Sequence, residues 1–343
     1  MRRTLLVDGP WNLKRNFHKR KELKTSTGYL CGGSFGFLDS LKTVMNRVLP
    51  DRVIIMWDGF QSGKLRYEIY PPYKAKRKEY WNNTEKAIAT DGLYSHQDLE
   101  KVEFMNQKIK VQNYLEELYV RQLEVDYIEA DDLIAQYVLK STSDDEEILI
   151  FSRDRDYLQL ISDKVSIVTP DSFFILNRRQ YEEKYGHTLD NELLFKCFEG
   201  DDSDEIGGVN GIIRDTLIKY FPNIAKEKYL YSKLKEECFE AKKDKKIGKR
   251  KIYDKIIEAE SILYRNARLM NLKKPFLNEE AIKGVDAVKH GTLDSSRSVE
   301  QAISKFINDG MINHIHDNNL ENFFSPFYRI MTKEKEYSQK MKI

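Results

Sequence analysis

Cysteine is scarce in this chain. Its three copies, Cys31, Cys197 and Cys238, are scattered, odd in number and form no CxxC pair. That argues against a disulfide framework or a cysteine-built zinc cluster. His314 and His316 stand without a third ligand nearby, so zinc is not expected there either. No apolar run is long enough to cross a bilayer and no signal-peptide pattern follows Met1, so a cytoplasmic protein with no membrane partner is expected. Internal repeats are absent, and the one biased tract is a lysine-rich stretch at 242–255. What remains, 41% hydrophobic and 33% charged residues over 343 positions, is enough for a large buried core in one domain or two unequal ones.

A net charge of +2 conceals segregation by sign. Lys64, Arg66, Lys74, Lys76, Arg77 and Lys78 crowd one stretch, interleaved with Tyr67, Tyr70 and Tyr73. Eight further bases lie between Lys242 and Lys255 against Asp244 and Asp254. Such asymmetry points to a polyanionic partner.

Short apolar runs recur at Thr4 to Val7, Val53 to Trp57, Val125 to Ile128, Ile148 to Phe151 and Val165 to Thr169, with helical patterns between them. Continuous apolar strands alternating with amphipathic helices predict an α/β core on a parallel sheet covered on both faces. Ligands in such sheets collect beyond the carboxyl ends of the strands. Asp8, Asp58, Glu129 and Asp154 each follow a predicted strand, and Asp131, Asp132, Asp156, Asp201 and Asp204 accompany them. Nine carboxylates in one cleft raise each other's pKa unless divalent cations compensate them. Oxygen-only ligation suits Mg²⁺, with Mn²⁺ able to substitute.

Each motif also has a plainer reading. In IEADDLIA, Glu129, Asp131 and Asp132 at a helix start offset the helix dipole, a task for which one or two acids suffice. In SRDRDYLQL, Asp154 and Asp156 are candidate helix caps as well as ligands. FEGDDSDEIGGVNGI reads as a structural turn or as a phosphate-binding turn presenting backbone N–H groups, with Gly208 and Gly211 at its heart. The segment from Pro71 to Val125 reads as an excursion above the sheet with a returning helix. Helices dominate after Arg178, and the residues beyond Arg329 read as a frayed polar tail.

Six motifs then stand in order from Leu5 to Ile213: LLVDG, IIMWDG, YPPYKAKRKE, IEADD, SRDRD and GDDSDEIGGVNGI. In this order they resemble the flap endonuclease and 5′-3′ exonuclease family, most nearly its phage members such as the ribonuclease H of T-even-type phages. The resemblance implies a PIN-like nuclease core over 1–178 with a helical arch at about 64–125. A helical DNA-binding region would follow over 179–343, carrying a helix-hairpin-helix variant. It implies one metal at Asp8, Asp58, Glu129, Asp131, Asp132 and Asp154 and a second at Asp156, Asp201 and Asp204. Lys74 and Arg77 would act on the scissile phosphate, and Tyr73, Lys76, Gly208 and Gly211 would contact DNA. K⁺ is implied at the hairpin turn. However, Glu205, Ile206 and Gly207 stand where many members have Asn-Ile-Pro, and Ile213 replaces a third glycine, which weakens the case for K⁺.

The implied activity is removal of 5′ flaps, 5′ nucleotides and RNA primers from DNA and RNA–DNA junctions by two-metal phosphodiester hydrolysis. The protein would be monomeric, in the host cytoplasm if phage-encoded, beside replication proteins such as a single-strand-binding protein or a clamp. Two rivals stand against it. A PIN-type ribonuclease needs neither the basic arch nor the glycine hairpin. A non-catalytic junction binder would be expected to lose acids, and all are present.

Overall fold

The computed structural model describes residues 1–76, 96–141, 145–246, 248–315 and 319–341. Among these described residues six strands form one sheet: β1 (Arg2–Asp8), β2 (Arg52–Asp58), β3 (Arg121–Val125), β4 (Glu146–Phe151), β5 (Val165–Val168) and β6 (Ile175–Leu176). Their order is β3-β2-β1-β4-β5-β6, parallel except for the β5–β6 pair. Side chains alternate between faces along a strand, so a strand covered on both sides must be apolar throughout. In β1, Leu5 and Val7 enter one core while Leu6 enters the other.

The first face is covered by the helices Gly9–Lys19, Gly32–Val48, His96–Glu117, Val299–Asn308 and Leu320–Lys340, which bring in Phe37, Leu115, Phe306 and Phe324. Ala130–Lys140 and Glu279–His290 cover the second, with Leu133, Ile134 and Val285. A third core gathers Phe195, Phe198, Leu217, Tyr253 and Leu269 from the helices after residue 190, and Tyr73 joins it from the basic stretch. Strand order reverses between β1 and β4, the kind of switch point beyond whose carboxyl edge such sheets bind ligands.

Two expectations are corrected. The strand predicted at 125–128 lies at Arg121–Val125. Its start is polar because Arg121, only 2% exposed, is neutralised by Glu334 at 2.5 Å. The tail is not frayed: Leu320–Lys340 is one helix with Ile330 and Glu334 buried. Charges that pair in the interior look like solvent-facing residues in a sequence, which is why both were misread.

Candidate metal centre

Asp8 and Asp58 are the last residues of β1 and β2, Glu129 lies shortly beyond β3, and Asp154 follows β4, so four strands deliver acids to one edge. The glycine after each of the first two acids has a steric cause. A Cβ on Gly9 would stand 2.6 Å from the Trp57 ring, and one on Gly59 would stand 1.8 Å from the Val125 carbonyl oxygen.

Asp8 is 7% exposed. Its Oδ1 accepts from the Trp11 backbone N–H at 3.0 Å, capping the Gly9–Lys19 helix. Its Oδ2 accepts from Ser152 Oγ at 3.0 Å and Tyr157 OH at 3.3 Å. Burial, reinforced by the charges of Asp154 and Asp58, pushes its pKa up to about 7. Burial and Glu129 likewise raise Asp58, which accepts from the Ala130 N–H at 2.9 Å. Asp131 is raised well above the usual carboxylate range, by burial first and by its neighbours Asp132 and Glu129. Among the described residues no lysine or arginine forms an ion pair with Asp8, Asp58 or Asp131.

Carboxylate oxygens of Glu129, Asp131 and Asp132 all lie within 4.8 Å of one another. Glu129 is held ionised: burial opposes this, but Lys74 and Arg66 outweigh it and bring its pKa down to about 2. Arg66 Nη1 stands 2.5 Å from both Glu129 and Asp132, and its Nη2 is 2.9 Å from Asp132. Tyr73 OH donates to Glu129 at 2.9 Å. Lys74 pairs with Glu129 and lies 3.6 Å from Asp204, while its own N–H donates to the Asp204 carbonyl at 3.0 Å. Its φ of 48° is a left-handed conformation uncommon for a side chain of this kind.

The remaining acids form a second group. Asp154 caps the short 3₁₀ turn Arg155–Leu160 by accepting from the Asp156 N–H at 2.8 Å. Asp201 caps the turn at 202–204 from β7 (Gly200–Asp201), which pairs with β8 (Ile206–Gly207). Lys196 bridges the group, paired with Asp156 and 3.0 Å from Asp201 Oδ2. Asp8, Asp154 and Asp201 each cap a helical turn through one carboxylate oxygen, Oδ1, which leaves the other oxygen of each outside the cap.

Downstream, the helices Glu192–Glu199 and Arg214–Tyr220 flank the glycine turn. Gly211 takes a φ of 77° there, and a Cβ on Gly208 would meet the Phe198 and Glu199 carbonyl oxygens at 2.3 Å. Lys76 Nζ lies 3.3 Å from Glu205. Arg77 and His316 lie outside the described residues. Three contributors escaped the sequence reading: Arg66, Lys196 and Tyr157. Tyr157 is the sharpest omission, since it is buried and sensitive to the charges of Asp8, Asp131, Asp154 and Asp58 together. Its place directly after Asp156, the last residue of SRDRD, is the only cue the sequence offers.

The chain matches the family described as 5′-3′ exonuclease, N-terminal resolvase-like domain, over residues 3–186. It belongs to the 5′-3′ exonuclease family. It is 30% identical over 217 residues to the thermostable DNA polymerase I of Thermus aquaticus, covering 63% of this chain but 23% of that one. The match therefore spans less than a quarter of the polymerase's length. A 5′-3′ exonuclease of Buchnera aphidicola is 27% identical over 288 residues, covering 81% of this chain and 85% of the relative. In fold, the T5 5′-exonuclease with bound zinc aligns at a TM-score of 0.60 and 20% identity, over 90% of this chain and 98% of the other. A phage T5 flap endonuclease in a pseudo-enzyme–product complex with DNA and metal ions aligns at 0.58 and 17% identity, over 90% and 100%. The family's sheet-and-helix architecture, PIN-like with a helical carboxyl-terminal region, is the fold found here. No described helix is long and apolar enough to cross a membrane.

Proposed function

We propose that the chain is a structure-specific 5′ nuclease, cutting 5′ flaps and removing 5′ nucleotides, RNA primers included, by two-metal hydrolysis with Mg²⁺. One observation carries the reading. Asp8 is a buried carboxylate and Asp58 and Asp131 are half-buried ones, all three with neutral donors and no ion-pair partner among the described residues, at the edge where the other acids also arrive. A hard divalent cation is what such a set lacks.

Asp8, Asp58, Glu129, Asp131, Asp132 and Asp154 would hold one ion, directly or through water, and Asp156, Asp201 and Asp204 the other. When bound, paired ions supply positive charge to both the attacking and the leaving oxygen of the phosphodiester. The chain's own share is to hold these oxygens in register and keep Lys74 charged beside them. Burial opposes the Lys74 ammonium, yet Glu129 keeps it protonated far above neutral pH, so it can stabilise charge on the phosphate without proton exchange. Arg66 holds Glu129 and Asp132 in place from behind.

The glycine turn offers backbone contact to a duplex, the feature that separates this reading from a PIN-type ribonuclease. A labelled 5′-flap duplex and a single-stranded RNA, each incubated with Mg²⁺ and with EDTA, test it. Flap cleavage with Mg²⁺ and none with EDTA is expected. Cleavage of the RNA in preference to the flap would contradict the reading. Asp154→Asn should abolish cleavage while flap binding in EDTA is retained, and wild-type cleavage by that variant would remove Asp154 from the site.

A further inference from the structure

The basic hairpin at 242–255 has no part in the chemistry, and its position gives it another. It joins the helices Tyr231–Lys243 and Lys251–Glu258. Eight bases face two acids along it. Lys242 is paired with Asp254 and Lys243 with Glu240. Lys245, Lys246, Lys249 and Lys251 are exposed, and their side chains form no ion pair among the described residues; Lys246 meets Asp244 only through its backbone N–H, at 2.7 Å. A run of like charges gains nothing for folding, since neighbouring cations repel.

The hairpin is also anchored to the turn that presents backbone to a duplex. Lys255 Nζ donates to the Asn210 carbonyl at 2.8 Å, and from the following helix, Glu260–Met270, Arg265 Nη2 donates to the Gly207 carbonyl at 2.6 Å. Lys251 and Lys255 lie one helical turn apart, which places them on one side of their helix, roughly 6 Å from each other. Lys251 and Lys255 therefore continue from the glycine turn along one side of their helix, with the exposed Lys245, Lys246 and Lys249 just ahead of them in the chain, and the buried Tyr253 and Ile256 hold that helix to the third core.

We propose that this hairpin is a second phosphate-contact surface, which follows the backbone of a duplex beyond the glycine turn without reading its sequence. The proposal rests on the nuclease reading for its substrate, but its test does not rest on cleavage. Binding of a labelled duplex bearing a 5′ flap is measured in EDTA across a salt series, with arms of about 10 and about 30 base pairs, near one and three helical turns. Four proteins are compared: the wild type; the quadruple variant Lys245→Ala, Lys246→Ala, Lys249→Ala and Lys251→Ala; a control with alanine at Lys283, Lys333, Lys335 and Lys340; and Lys251→Ala alone.

On the long arm the quadruple variant should bind at least roughly tenfold more weakly. Its slope of log affinity against log salt should become shallower by up to about 3.6, or 0.9 for each lost phosphate contact. Lys251→Ala should show about a quarter of that change, and the short arm should show little of it. An unchanged slope on the long arm overturns the inference. So does an equal loss in the control, or an equal loss on the short arm, which would make the effect one of overall charge. Failure of the wild type to cut flaps with Mg²⁺ would instead remove the nuclease reading and leave these binding results standing.

Discussion

Asp8 shows most clearly what a single residue in this site endures. Its carboxyl, raised from 3.8 to about 7, keeps its proton in the folded chain over a range where the unfolded chain has released it. The folded state therefore binds more protons between about pH 4 and pH 7 and loses stability as pH rises through that window. Asp8→Asn, without the charge, should melt higher than the wild type in EDTA at pH 8, by roughly 1–4 kcal/mol, although it should not cut DNA. A lower melting temperature for the variant under those conditions would show that the carboxylate is already compensated. Lys74→Ala should slow single-turnover cleavage by about 100-fold or more with little change in flap affinity. Equal losses in both would demote Lys74 to a positioning contact. Asp8, Asp58, Glu129 and Asp154 were legible because each comes at or just beyond an apolar run and, for the first two, precedes a glycine. Arg66, Lys196 and Tyr157 were not, since nothing in a lone sequence says which cation or phenol a distant carboxylate will meet.

Among the elements, the last helix is the one whose role could not be read from its residues. Glu334 lies 3.1 Å from Arg52 Nε and 2.5 Å from Arg121 Nη2, tying that helix to the starts of β2 and β3. Tyr337, one turn on, presents its ring 4.4 Å from the Arg52 guanidinium. Both arginines also donate to carbonyls at the end of the Glu279–His290 helix and just beyond it. Removing one member of such a buried set leaves uncompensated charge. Glu334→Ala should cost about 3–5 kcal/mol of stability, measured by denaturant unfolding, and a loss below about 1 kcal/mol would show that water reaches the arginines. The apolar strands and the helix after IEADD were readable from their period. The offset of β3 and the length of the final helix were not, because their buried positions are charged and their partners lie far off in sequence.

For the molecule as a whole, two opposing pH limbs follow. Thr4, Arg2 and Lys289 overcome burial and draw Glu146 down to about 2, so its contribution is complete above about pH 4.5 and is lost as pH falls towards 2. Asp8 works in the other direction between pH 4 and 7. Melting curves in EDTA should therefore fall at both ends, and added Mg²⁺ should abolish the decline that sets in between pH 4 and 7 while leaving the acid limb unchanged. A Mg²⁺ effect of equal size at all pH values would contradict this division.

That several distant stretches of chain share one divalent-ion centre is tested most directly by calorimetric titration of Mn²⁺ into the protein and into the Asp8→Asn, Asp154→Asn double variant. The wild type should bind with proton release that grows as pH drops from 8 to 6, because Asp8 must ionise to ligate, and the double variant should lose both the tightest binding and the proton release. Identical isotherms for the two proteins would contradict a shared centre.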